Sequence, residues 1–220
     1  MNALDQAVAT VRERRRGNGV TISTTASLAA RWLLPRLPQL SEAAPWVEVS
    51  VVIQPRLSDP AADGADLSLR MGNGPWPDLV CEPLMDDALY PVVSPAYWSA
   101  KGKPKVLADL AGMRLLHDRD PNATWTSWRA AYGPAMLDVR SGPRFSSSDL
   151  VLRAAAENLG VALARGRLVQ HDLVAGSLIR PFGDAQVNIP NGYWIVQPAV
   201  PHARAALDAV LEWLRAATCR

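Results

Sequence analysis

Cysteine is scarce: Cys81 and Cys219 are the only two in 220 residues. They stand far apart and in no ligand spacing, which argues against a disulfide framework and fits a reducing cytoplasm. Histidine is nearly as rare. His117, His171 and His202 show no metal-ligand spacing, and neither H-E-x-x-H nor C-x-x-C occurs, so no metal is expected. Gly72-Asn73-Gly74 lacks the third glycine of a dinucleotide turn and meets Pro75 where a helix would have to open. No phosphate loop ending in Gly-Lys-Ser/Thr and no G-x-S-x-G elbow is present. A non-enzyme without a cofactor is therefore the expectation. Uncharged apolar runs stay well below the ~18 residues of a membrane span. Asp5 interrupts any signal-like apolar region, and the basic cluster follows it instead of preceding it. A net charge of +2 is too small for a nucleic-acid-coating surface.

What is present is an ordinary soluble composition, 49% hydrophobic and 20% charged, enough for one large domain or two lobes. Residues 1–16 read as a helix, with Leu4, Val8 and Val11 forming one narrow stripe that is too thin to stand without a partner surface. Arg12, Arg14, Arg15 and Arg16 end it, and Gly17-Asn18-Gly19 stops it. The arginine run has two readings, a DNA contact or a solvated helix end.

The organising stretch is Val20 to Leu40, VTISTTASLAARWLLPRLPQL. Val20 and Ile22 alternate with Thr21 and Ser23 as in a strand, and Leu28, Trp32 and Leu33 then follow a helical period. Ser27 is the expected cap of that helix. A strand turning straight into a helix places free N–H groups and a positive dipole end together, a place for a polar or anionic ligand. Pro35 and Pro38 predict a break near Leu34, with a second helical piece towards Ala44.

Further on, the pattern predicts strands at Val47–Ile53 and Ala65–Met71, with a short helical turn capped by Asp59-Pro60 between them. Two short extended pieces follow, around Val80–Leu84 and Leu89–Val93. Helices are expected after Ser94, near Val106–Leu110, at Thr126–Tyr132, at Asp149–Leu159 (capped by Ser147 or Ser148 and stopped by Gly160), at Arg167–Val174 and at His202–Ala216. Further strands are expected at Met113–His117, Val161–Ala164, Ser177–Arg180 and Gly192–Gln197. The order predicts an α/β protein of two Rossmann-like lobes, with parallel pairing in the first and the last strand and helix returning to it. The expected division is 1–16 as the end of a helix, 20–92 with 196–220 as lobe I, and 93–195 as lobe II. Ligands are expected where strand ends and helix starts meet between the lobes.

VTISTTASLAARWLLPRLPQL, DPAADGADLSLRMGNGPWPDL, LYPVVSPAYW, SSSDLVLRAAAENLGVALA and NGYWIVQP closely resemble the effector-binding domain of LysR-type transcriptional regulators. The nearest subgroup is the one containing the glycine-cleavage activator and the β-lactamase regulator. The resemblance spans Val20 to Ala216, and residues 1–16 look like the end of the family's linker helix. It implies a fold like the type II periplasmic binding proteins, two lobes joined by two crossing strands, and an effector held between them. It also implies homodimers, higher oligomers in the full-length protein, and DNA contact only through a helix-turn-helix domain that this stretch does not contain. The chain is thus expected to sense without reading DNA by itself, in the cytoplasm and away from membranes. A solute-binding protein of an importer, or an enzyme on the same scaffold, are the alternatives.

Candidate effector contacts are Ala26, Ser27 and Leu28 at the first helix start and Ser147 and Ser148 at the corresponding start in the second lobe. Each serine has helix capping as its plainer role. Arg70 and Met71 end a strand, where an arginine pairs bidentately with a carboxylate or makes a surface salt bridge. Tyr193 is either a pocket-closing hydroxyl or a core aromatic, with Trp194 pointing the opposite way. Trp125 and Trp128 share a helix face and read first as packing. Asp59 reads as a turn cap, and the resemblance marks it as a control point for the signalling state. Such residues suit an amino acid, a peptide or another carboxylate-like effector.

Overall fold

The computed structural model describes residues 17–200 and 204–218. The expected helix at 1–16, together with His202 and Cys219, lies outside the described residues. The described chain divides into two compact units, 17–85 with 191–200 and 204–218, and 86–190. The boundaries fall inside two long strands, β4 (Val80–Val92) and β8 (Val187–Gln197). The expected boundaries at 92/93 and 195/196 lie at the end of β4 and inside β8.

In the first unit the strand order is β2-β1-β3-β8, with β1 at Gly19–Thr24, β2 at Glu48–Ile53 and β3 at Leu67–Met71. β1 pairs in parallel with both β2 and β3, as helical and turn crossovers require, and β8 is antiparallel to β3. All six residues of β1 are buried. The polar positions of its alternation, Thr21 and Ser23, therefore do not face water, because the strand is covered on both sides. After β1 the chain stays helical through Ala43, as a single α turn (α1, Ala26–Leu28), a π turn (Ala29–Leu33), a 3₁₀ turn (Leu34–Arg36) and α2 (Leu37–Ala43). Pro35 and Pro38 sit in the first two positions of their own segments, where a missing N–H costs little, so they change the pitch where a break was expected. Helix α7 (Ala205–Ala217) packs on β1 and α2 with Leu207, Val210, Leu211 and Leu214 buried, as its periodicity predicted.

The second unit holds β4, β7 (Val161–Arg165), β5 (Leu115–Asp118) and a short β6 (Arg144–Phe145) in that order. β7 is antiparallel to β4 and parallel to β5, and β6 is parallel to β5. Its helices are α3 (Pro95–Ala100), α4 (Trp125–Tyr132), α5 (Ser148–Ala156) and α6 (Gly166–Ala175). Leu89, Trp98, Leu115, Trp125, Trp128 and Leu163 form its core. Trp125 and Trp128 meet edge to face at 5.7 Å, and their indole N–H groups donate to the carbonyls of Leu116 and Ala185. The pair is packing, as first read.

Several expectations are corrected. The two extended pieces around residue 85 are one thirteen-residue strand, β4. The segment Ser177–Arg180 makes only a single bridge, Val93 with Ile179, instead of a strand. The helix expected near Val106–Leu110 is a 3₁₀ turn, Leu107–Gly112. Asp59-Pro60 opens a hydrogen-bonded turn that closes at Gly64 without becoming a helix. Helix α5 ends at Ala156 because Asn158 turns left-handed (φ 65°). Gly160 serves another need, since a Cβ there would lie 2.3 Å from the Arg114 carbonyl. No helix among the described residues is long and apolar enough to cross a membrane.

Candidate functional site

In the first unit the polar groups gather at the C-terminal ends of β1 and β3. Thr25 is the cap: its backbone is extended (φ −80°, ψ 154°) and its hydroxyl accepts the Leu28 N–H at 3.5 Å. The expected cap, Ser27, lies one step inside the helix and is buried. The correction follows from where β1 ends, because only the last extended residue can turn its side chain back onto the first helical N–H groups. Ala26 is exposed beside it, and Leu28 is buried in the first turn.

Arg70 is 3% exposed, which removes the surface-salt-bridge reading. Its Nη1 donates to the Gln54 carbonyl at 2.6 Å and its Nη2 to the Ser23 hydroxyl at 3.0 Å, while Nε has no partner. Burial pulls its pKa down, opposed by the nearby Asp63 carboxylate. Ser68 precedes Arg70 by two residues on the same strand face, sits in register with Ser23, and has a fully buried hydroxyl without a partner. Met71 is half-buried and stands opposite Tyr193 of β8, which has no exposed surface. Trp194 stands opposite Arg70, and its indole N–H donates to the Gly72 carbonyl at 3.0 Å.

Asp59 is exposed and accepts the Ala61 N–H at 3.0 Å, so it caps its turn as read. Asp63 closes the same loop by accepting from the Gln54 amide at 3.0 Å and from the Ser58 hydroxyl. Arg70 thereby ties the end of β3 to the loop that carries Asp59.

The second unit repeats the strand-end, helix-start arrangement. Ser147 is the N-cap of α5, accepting the Leu150 N–H at 3.4 Å. Ser148 is buried and donates its hydroxyl to the Asp118 carboxylate at the end of β5. Burial pushes the Asp118 pKa up, and the Ser148 hydrogen bond partly offsets that. Asp120 accepts from Arg165 Nε at 2.7 Å, and the same buried guanidinium lies 3.5 Å from Asp87. Of the two serines, then, one caps and the other is tied to a buried acid.

Thr25, Ser23, Gln54, Ser68 and Asp118 escaped the sequence reading. Ser23 and Ser68 did leave a signal, as polar residues inside apolar strands, and alternation made Ser23 a polar position of its strand. Among the described residues no group of histidine, cysteine, aspartate and glutamate is placed to hold a metal.

The family described as LysR substrate binding domain matches residues 13–219. The glycine cleavage system transcriptional activator of Escherichia coli K12 is 33% identical over 213 residues, covering 97% of this chain and 69% of that protein. The transcriptional activator AmpR of Citrobacter koseri is 30% identical over 195 residues, covering 89% of this chain and 66% of that protein. Among solved structures, the effector domain of AmpR from Pseudomonas aeruginosa superposes with a TM-score of 0.78 at 26% identity, covering 91% of this chain and 95% of that one.

Proposed function

Because this chain belongs to the LysR substrate-binding-domain family, as the match over residues 13–219 shows, we propose that it senses a small polar or anionic effector on behalf of a transcriptional regulator. It is the effector-binding domain of such a regulator. That family match carries the reading, and the polar clusters at the strand ends support it. Ala26, Ser27, Leu28, Arg70 and Met71 in the first unit, Ser147 and Ser148 in the second, and Tyr193 on β8 are the proposed effector-contacting or pocket-shaping residues. Arg70 acts here through the loop it holds, since two of its nitrogens already serve Gln54 and Ser23. Asp59, capping that loop, is the proposed control point.

Helix starts supply N–H donors and a positive dipole end, so a carboxylate-bearing amino acid, peptide or similar anion is the matching effector class. An effector shifts a conformational equilibrium only by its difference in affinity between the two states. In the intact regulator, that difference would be passed to a DNA-binding domain and so to transcription. Cytoplasmic location and a non-catalytic role belong to the same proposal.

A thermal-shift screen of amino acids, short peptides and small carboxylates tests it, because a ligand that binds the native state raises its apparent stability. The expected result is a stabilising compound whose effect shrinks in Ser27→Ala and Ser148→Ala. A stabilising compound that both variants bind unchanged would contradict the site assignment.

A further inference from the structure

The second unit carries a cavity of about 410 Å³, lined by β4, α6 and the chain running into the start of β8. It is built on other elements than the Ser147–Ser148 helix start. Its volume falls within the range of about 300–1,000 Å³ found for small-molecule sites.

Tyr90 is its key residue. The side chain is nine-tenths buried, the Arg180 guanidinium covers the ring at 4.1 Å, and the hydroxyl stands at the cavity wall beside Gly166. A phenol hydroxyl both donates and accepts, so it suits either end of a polar molecule in the cavity. Gly166 keeps the approach to it open: a Cβ there would stand 3.2 Å from the hydroxyl and 3.3 Å from the Asp87 carboxylate.

The remaining groups are held in place by their own bonds. Arg167 is fixed at the rim, its backbone N–H donating to Asp87 and its Nε to the Asp86 carbonyl, both at 3.1 Å, which leaves the terminal guanidinium nitrogens for a ligand. Arg180 donates to Gln186 Oε1 at 2.9 Å, and the Gln186 amide donates to Asn188 Oδ1 at 2.8 Å. That relay orients the Asn188 amide so that its N–H₂ is the outward donor.

A guanidinium, an amide N–H₂ and a phenol therefore converge on one cavity whose lining also includes the Asp86 and Asp87 carboxylates. A simple anion would be repelled by the aspartates and a simple cation by the arginine. A zwitterion satisfies both. We propose that this cavity is a second small-molecule site, and that it takes a free α-amino acid, with the carboxylate on Arg167 and Asn188, the ammonium towards Asp86, and Tyr90 bonded to the bound molecule.

The test is a nuclear magnetic resonance titration of the full chain with each of the standard L-amino acids at millimolar concentration. At least one is expected to move the amide signals of Arg167, Gln170 and Asn188. Tyr90→Phe and Arg167→Gln should each weaken that binding about tenfold, in the range of a hydrogen bond to a charged group. In Ser148→Ala the signals of Arg167, Gln170 and Asn188 should move as in the unmodified chain, which separates this cavity from the proposed effector residues. Unchanged thermal midpoints in the two variants confirm that they fold. No amino acid moving these signals, or movements that persist unchanged in both variants, would overturn the proposal.

Discussion

Arg70 at the end of β3 donates to the backbone carbonyl of Gln54 at 2.6 Å, joining the strand to the loop that carries Asp59. The guanidinium is buried, and Ser23 takes a second of its donors. Arg70→Ala would take a donor from the part-buried Gln54 carbonyl and from the buried Ser23 hydroxyl, and is expected to cost about 1–3 kcal/mol. Arg70→Lys should recover only part of this, because one ammonium cannot reproduce the two-pronged contact. Urea unfolding of the three chains measures the difference; equal midpoints would mean that the loop is held by other contacts.

Capping separates two neighbouring residues. Thr25→Ala should lower stability by about 0.5–1 kcal/mol through loss of the helix cap, with the long 3.5 Å bond favouring the lower end. Ser27→Ala removes no cap, so its effect on effector affinity should exceed its effect on stability. Paired thermal melts and binding isotherms of the two variants show whether the roles divide in this way.

The Asp118 carboxyl is held above its ordinary value of 3.8 by burial, so the native state keeps its proton to higher pH than the unfolded chain does. As pH rises through the interval between 3.8 and the raised native value, the native state is progressively disfavoured at this site. Asp118→Asn should therefore be neutral or stabilising above that interval. Ser148→Ala removes the hydrogen bond that holds the carboxyl down, and should raise its pKa further. Carbon-detected titration of the Asp118 carboxyl checks both; a value below 3.8 would contradict the assignment.

Homodimers are the expected assembly. β2 is the edge strand of its sheet, with Val52 and Ile53 exposed at 40% and 50%. An uncovered apolar edge is a surface that soluble proteins pair or protect. Light scattering at micromolar concentration should give twice the chain mass, falling to one chain in Ile53→Glu. A monomer in both would remove β2 as an interface.

Much of this was readable from the chain. β1, β2, β3, α5, α6 and α7 follow from apolar period, β-branched runs and cap or glycine signals, all local properties. The misses share one cause, which is tertiary partnering. The gap read between Leu84 and Leu89 lies inside β4, where Asp87 is buried against Arg165, nearly eighty residues away. Ser23 looked like the polar side of its strand because alternation cannot tell that both faces of β1 are covered. In Thr24-Thr25-Ala26-Ser27 three residues are able to cap, and only the end of the strand chooses among them. For Arg70, the sequence named the residue but not the direction of its donors. The opening strand-to-helix turn remains the place where the first unit concentrates its polar groups, with the cap at Thr25 and the buried Ser23–Arg70 pair behind it.

The most direct test of effector sensing is calorimetry of the stabilising compound from the screen against the unmodified chain, Ser27→Ala and Ser148→Ala. A binding event weakened about tenfold in each variant by the lost hydroxyl is predicted. Full affinity in both variants would contradict it.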